Sequence, residues 1–306
     1  MSRFTRDQTT RTAVVTGATS GIGRETVLAL VRDGWQVIAV SRRDDRLAAL
    51  KASCDHAIDT MRADLSLVRD NLRVARSIGA SGVSVDALIL NVGAVFPAWG
   101  RTSEGLEQTF ALNHVGPYAL STRLQSRLRD TAGARVVVVS SQVHAGSLDF
   151  DNLQGELAYD GMEAYRRSKL CNLLFAFEAS RRWSSDAVTV NALHPGVVDT
   201  GLLVDYAAAQ DLAEGRSRPS LRRMARRLLG GAVRTSAQRY PGTITPDAGA
   251  RTSVFLATDP SVEGETGRYY VDCRTAAVRP CAEDARLAGE LWARTEAIVS
   301  EHEVDK

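Results

Sequence analysis

Thr12-Ala13-Val14-Val15-Thr16-Gly17-Ala18-Thr19-Ser20-Gly21-Ile22-Gly23 sets a short β-branched run directly before a cluster of three glycines. Thr12 to Thr16 is brief, continuous and apolar at its centre, which predicts a strand buried on both faces. From Gly21 to Arg32 the apolar residues return at helical spacing. Glycines between a strand and a helix let the backbone approach a pyrophosphate, whose charge is favoured by free N–H groups and the helix dipole. The spacing is Gly-x3-Gly-x-Gly, not the general Gly-x-Gly-x-x-Gly, and such a cluster also fits a plain strand-to-helix turn. Its place at the first βα junction favours a bound dinucleotide.

Working outward, similar runs recur at Gln36 to Val40, Ala57 to Arg62, Ala87 to Asn91, Arg135 to Ser140 and Val188 to Leu193. Helical spacing fills the gaps at Arg46 to Ser53, Leu67 to Ile78, Ser103 to Arg129 and Glu163 to Trp183. This βαβ alternation predicts an α/β fold, a single-domain Rossmann-type doubly wound parallel sheet in three layers, α/β/α. After Thr200 the rhythm breaks over about 201–245, then returns with a helix from Pro246 to Leu256, a strand near Tyr269 to Asp272 and a C-terminal helix over 282–299. The interruption reads as a helical lid insertion. Within it Leu221, Met224, Ala225, Leu228 and Leu229 form an apolar stripe opposed by Arg222, Arg223, Arg226 and Arg227. A lid over a substrate site and a contact with a membrane surface or acidic partner both fit such a helix.

The chain has 306 residues, 44% hydrophobic and 24% charged, enough for one large core. Its formal charge of +2 is spread along the sequence, so the basic footprint of a nucleic-acid binder is missing and small molecules are the expected partners. Cys54, Cys171, Cys273 and Cys281 lack Cys-x-x-Cys spacing and do not cluster with the five histidines, so neither a metal site nor a disulfide framework is indicated. No apolar run is long enough to span a bilayer. A cytoplasmic location with reduced thiols is the expectation.

Two further patterns carry chemistry. At the end of the second strand stands Ser41-Arg42-Arg43 in place of an acidic residue. Guanidinium groups there would bind the 2′-phosphate of NADP, which a carboxylate would repel, and Arg24 after the glycine turn is a second phosphate candidate. Tyr165-Arg166-Arg167-Ser168-Lys169 places a phenol and an ammonium four residues apart, hence on one helix face, where the lysine would favour the ionised phenol. Asp64, after the third strand, reads either as a helix cap or as an acceptor for an adenine amine.

In order along the chain stand Thr-Gly-x3-Gly-x-Gly at 16–23, Asp64, Asn91-Val92-Gly93, Asn113, Ser140-Ser141, Tyr165-x3-Lys169 and Pro195-Gly196. This series resembles the short-chain dehydrogenase/reductase family from about Thr12 to Val299. More narrowly it is similar to the retinol dehydrogenase and carbonyl reductase branch, through Val139-Ser140-Ser141-Gln142-Val143-His144, His194-Pro195-Gly196-Val197-Val198 and Tyr269-Tyr270-Val271-Asp272-Cys273. The resemblance implies a catalytic set of Asn113, Ser141, Tyr165 and Lys169. Tyr165 would be the acid/base, Lys169 would lower its pKa and hold the nicotinamide ribose, and Ser141 would orient the substrate oxygen. Asn113 would hold a water against Lys169 in a proton relay. It further implies an NADP(H) site built from Gly17, Thr19, Ser20, Gly21, Ile22, Gly23, Arg24, Ser41, Arg42, Arg43, Asp64, Leu65, Asn91, Val92, Gly93, Tyr165, Lys169, Pro195, Gly196, Val198 and Thr200. No metal is required.

Three departures from the family pattern stand out. Leu90 replaces the first asparagine of the Asn-Asn-Ala-Gly stretch. The segment from His144 to Asp160 is an extra loop expected to border the substrate pocket, and no hydrophobic anchor precedes the first strand. The implied activity is reduction of a ketone or aldehyde of a lipophilic or polycyclic small molecule to its alcohol, with direction open. A non-redox member of the same fold, a cyclase, an isomerase or an NADP(H) sensor, is the alternative. Tyr159, Tyr206 and Tyr240 could stand in pocket, core or surface. His144, His194 and Cys171 read as packing residues. Relatives commonly pair through their two long helices, here Ser103 to Arg129 and Glu163 to Trp183, as homodimers or homotetramers.

Overall fold

The protein is described by a computed structural model covering residues 10–55, 57–199 and 243–303. Strands β1 (Thr12–Thr16), β2 (Gln36–Ser41), β3 (Ile58–Arg62), β4 (Ala87–Leu90), β5 (Arg135–Val139), β6 (Thr189–His194), β7 (Tyr269–Val271) and β8 (Arg274–Thr275) form one sheet in the order β3-β2-β1-β4-β5-β6-β7-β8. All neighbours pair in parallel except β7 and β8. The order reverses between β1 and β4, so their carboxyl ends open the crevice in which doubly wound sheets bind ligands.

Alternate strand residues feed opposite faces, as period-two geometry requires. Val14, Ile38, Val40, Leu88, Val136 and Val138 pack towards α3 (Val68–Ser81), α5 (Gly116–Arg129) and α6 (Gly161–Arg182). Ala13, Val15, Val37, Ala39, Ile89 and Val137 pack towards α1 (Gly21–Arg32), α2 (Asp44–Ser53) and α7 (Pro246–Thr258). The valine-rich strands are therefore buried on both sides, as their composition implied, and each enclosed Val, Leu or Ile side chain contributes ~2 kcal/mol. Helix α8 (Ala285–Glu301) lies on the first side, against α6 and α5. Its Trp292 meets Tyr118 edge-on at 4.9 Å and stacks on Phe175 at 5.9 Å, with Trp183 closing the cluster at 6.3 Å.

Several boundaries differ from the sequence expectation. The helix expected from Ser103 begins at Gln108, as the three-residue α4 (Gln108–Phe110), and passes through a π-helical turn (Ala111–Val115) into α5. Gly105 takes a left-handed φ of 82°, and Thr102 closes the turn by donating its N–H to Leu106 at 2.8 Å. Glu107 then caps the helix, its carboxylate accepting from the Thr109 and Phe110 amides, each at 2.7 Å. Strand β8 has no counterpart in the sequence pattern. Its hairpin turn puts Asp272 and Cys273 at φ 47° and 60° without the Asn-Gly signature such turns usually carry. The segment expected as an insertion lies outside the described residues up to 242, with its basic helix, Tyr206 and Tyr240; Thr200 lies outside them too.

Trp183 is 1% exposed within the aromatic cluster. Trp183→Ala should cost about 3–5 kcal/mol in urea unfolding, against under about 0.5 kcal/mol for Leu157→Ala, whose side chain is 78% exposed.

Candidate active site

The carboxyl end of β5 and the first turns of α6 make the site. Asp160 caps α6 by accepting from the Glu163 amide at 2.8 Å. A Cβ on Gly161 would stand 2.3 Å from the Phe96 carbonyl oxygen, so glycine lets the helix start pack on that loop. Val139, the last residue of β5, and the two serines after it then engage α6. The Val139 carbonyl accepts from Lys169 Nζ at 3.1 Å. Ser140 Oγ donates to the Lys169 carbonyl at 2.8 Å. Ser141, buried beside them, hydrogen-bonds Tyr165 and so pulls its pKa down.

Lys169 is 3% exposed, and burial lowers its pKa to about 8. Its ammonium stands over the Tyr165 ring, 5.4 Å from the centroid. Burial pushes Tyr165 up to about 12, outweighing the bond from Ser141, and the phenol is protonated at neutral pH. The four-residue spacing put the two side chains on one face, but the lysine stem is held inward by the Val139 carbonyl.

Asn113 sits in the π-helical turn. Its Nδ2 donates to the Ala94 carbonyl and to Ser168 Oγ, both at 2.9 Å, and its Oδ1 accepts from the Ala94 amide at 2.9 Å. A Cβ on Gly93 would stand 3.4 Å from Lys169 Nζ and 3.5 Å from Asn113 Oδ1. The missing side chain of Gly93 leaves a small space flanked by these two groups.

The glycine turn fits a pyrophosphate. Gly17 and Gly21 take left-handed φ of 65° and 51°. A Cβ on Gly23 would lie 2.3 Å from the Gly17 carbonyl and 2.5 Å from Asn91 Nδ2, so only glycine lets α1 approach this closely. Ser20, at the N-cap, makes no side-chain capping bond, which leaves the first-turn N–H groups for an anion. Thr16 Oγ1 donates to the Ile89 carbonyl at 3.2 Å and accepts from the Asn91 and Val92 amides at 2.9 and 3.2 Å, while Asn91 Nδ2 donates to the Thr16 carbonyl at 3.0 Å. Leu90 is buried in the core, and Thr16 supplies polar ties between the β1 and β4 ends.

Thr19 Oγ1 and Ser41 Oγ lie 2.8 Å apart, tying the turn to the end of β2. Of the three arginines here, Arg24 pairs with Glu25 at 2.7 Å and Arg43 with Asp45 at 2.6 Å, whereas Arg42 is exposed. Asp64 Oδ1 accepts from the Ser66 amide and hydroxyl at 3.1 and 2.7 Å, closing a local turn ahead of α3, whose N-cap is Leu67, and Leu65 is buried beside it. Past β6, Gly196 adopts φ 90°, and Val198 bridges Ile244. Val198 and Ile22 both meet the position a Cβ on Gly249 would take, at 2.7 and 3.2 Å, which brings the loop after Pro195 over the start of α1.

The extra loop is tied down. Trp99 Nε1 donates to the Gln154 carbonyl at 3.0 Å, Arg101 pairs with Glu156 at 2.5 Å, and Tyr159 Oη donates to the Phe96 carbonyl at 2.9 Å. Tyr159 is therefore a tether of this loop. His144 is turned to the Ala145 carbonyl at 3.0 Å. Burial lowers the pKa of both His144 and His194, with the Lys169 charge adding to the effect on His194, and burial pushes Cys171 up to about 12. Ser140 and Ser168 contribute to the site although the sequence pattern assigns them no role. Their adjacency to Ser141 and Lys169 was the available signal.

Comparison with known proteins agrees with this geometry. The short chain dehydrogenase family profile matches residues 11–211. Retinol dehydrogenase 14 of Mus musculus is 34% identical over 309 residues, covering 94% of this chain and 86% of its own length. DnrU of Streptomyces sp. (strain C5), named as a daunorubicin C-13 ketoreductase, is 34% identical over 299 residues, covering 95% and 93%. The crystal structure of an uncharacterized protein from Mycobacterium paratuberculosis superposes with a TM-score of 0.70 at 27% identity, covering 95% and 93%. Among the described residues, no helix is long and apolar enough to cross a membrane.

The lowered Lys169 pKa has a measurable sign. Between about 8 and the ordinary 10.5 the folded chain has released a proton that the unfolded chain keeps, so stability rises with pH across that window. Urea unfolding at pH 7.5–10 should show the rise in the wild type relative to Lys169→Met; a pH-independent difference would contradict it.

Proposed function

The chain belongs to the short-chain dehydrogenase family, in the branch that includes retinol dehydrogenases, and on that premise we propose that it is an NADP-dependent oxidoreductase reducing a ketone or aldehyde of a lipophilic small molecule. One observation carries this reading. Ser141, Tyr165 and Lys169 converge at the end of β5, and Tyr165 is held protonated there, as a general acid must be before it donates.

With its pyrophosphate held at the glycine turn, the cofactor would supply a hydride to the carbonyl carbon. The protein then has one proton to manage. Ser141 donates a hydrogen bond to the carbonyl oxygen and steers it to Tyr165, whose Oη–H passes to that oxygen as charge develops. The Lys169 charge, over the Tyr165 ring, would stabilise the phenolate left behind, and Asn113, beside Lys169 across Gly93, would hold a water that returns the proton. Oxidation of an alcohol would run the same steps in reverse.

Arg42, exposed just after β2, supports NADP over NAD as a guanidinium that would bind a 2′-phosphate, while Arg24 and Arg43 are paired with Glu25 and Asp45. Val143 and Val197, 43% and 45% exposed, lie two residues after Ser141 and one after Gly196, and exposed apolar side chains this near in sequence to the site support an apolar substrate. One relative is named as a ketoreductase, a carbonyl-reducing activity.

Following NADPH absorbance against a panel of ketones and aldehydes tests the proposal. The wild type should consume NADPH and Tyr165→Phe should lose at least about a hundredfold in kcat. Cofactor binding with no turnover, unaffected by Tyr165→Phe, would instead support a sensor or non-redox enzyme. Arg42→Ala should raise the KM for NADPH about tenfold or more and leave that for NADH little changed; equal effects on both would remove the case for NADP.

A further inference from the structure

His114 follows Asn113 in the π-helical turn, and the proposed reaction makes no use of it. Its ring is 1% exposed. Burial pushes its pKa down to about 3, with Asn172 of α6 opposing the shift, so the imidazole is neutral at working pH. Nε2 lies 3.0 Å from Thr295 Oγ1 on α8. Thr295 donates its own hydroxyl hydrogen to the Leu291 carbonyl at 2.7 Å. A hydroxyl has a single hydrogen, so Nε2 carries the proton and Thr295 accepts it. The tautomer of His114 is thereby set.

This bond joins residues 181 positions apart. On one side is a π-helical turn, a widened and less well packed helical form found often at functional sites. On the other is α8, which has its own anchorage. Glu296 accepts from Tyr118 Oη at 2.9 Å and from Arg123 at 2.8 Å, and Arg123 also pairs with Glu303 at 2.6 Å. One residue before His114, the Asn113 amide makes its three bonds to Ala94 and Ser168. A rotation of the turn that moved His114 would break them.

We propose that His114 is a positioning residue, whose hydrogen bond to Thr295 fixes the π-helical turn against the C-terminal helix and so sets the Asn113 amide on the Lys169 side of the site. The inference rests on the carbonyl-reductase reading above. It gives α8, remote in sequence from every motif of the site, a part in proton transfer.

The test compares the full-length wild type with Thr295→Val, Thr295→Ser and Leu256→Ala in NADPH-linked carbonyl reduction, NADPH binding by fluorescence and thermal unfolding. Valine keeps the shape of threonine and removes the acceptor; serine restores it. Leu256 is buried on the opposite face of the sheet and controls for stability alone. Thr295→Val should lose about tenfold or more in kcat, with carbonyl KM and NADPH affinity within about twofold of the wild type. Thr295→Ser should recover most of the loss, and Leu256→Ala should lower Tm while keeping kcat. If Thr295→Val retains the wild-type kcat, or if Leu256→Ala loses kcat in the same proportion to its Tm, the positioning role is overturned. Should Thr295→Val fail to fold, the contrast moves to His114→Gln, which can donate to Thr295, and His114→Phe, which cannot. A kcat loss in His114→Phe that His114→Gln largely restores supports the role, and equal kcat in the two overturns it. A wild type that oxidises no NADPH with any carbonyl overturns the parent reading, and this inference with it.

Discussion

Lys169 can stand inside the protein because the last residues of β5 hold it at two points. Its ammonium donates to the Val139 carbonyl and its own carbonyl accepts from Ser140. A buried cation without such partners would carry a heavy desolvation penalty. With them, strand and helix are locked in register, and Ser141 is delivered to Tyr165. The glycine turn, the Gly93 space and the π-helical turn all face this junction, so the geometry of the site follows from one strand end meeting one helix.

That junction also explains the division of labour between two adjacent serines. Ser140 faces the helix backbone and is spent on structure. Ser141, one residue on, reaches the phenol. Burial lowers the pKa of Lys169 and raises that of Tyr165.

Much of the fold was legible because parallel strands buried on both faces must be continuously apolar. The β-branched runs marked six of the strands within about two residues, and the glycines at 17, 21 and 23 marked the crevice. The site was legible where a residue type has one chemical use, as with Tyr165 and Lys169. Where long-range packing decides, the sequence was silent. Ser103 has helical neighbours, yet Gly105 and the Glu107 cap move the helix start to Gln108. The π-helical turn leaves no pattern in Ala111–Val115, and β8 depends on a turn through Asp272 and Cys273 that composition does not announce. The Lys169 ammonium is anchored by a carbonyl thirty residues away.

The central claim is that this junction lets a nicotinamide hydride and the Tyr165 proton reach one carbonyl group. Incubation with NADPH carrying deuterium at the transferable position of C4, with a ketone the enzyme consumes, tests it most directly. Mass spectrometry of the product should find one deuterium, on the carbinol carbon. An alcohol without the label, or a product at the same oxidation level as the ketone, would contradict the account.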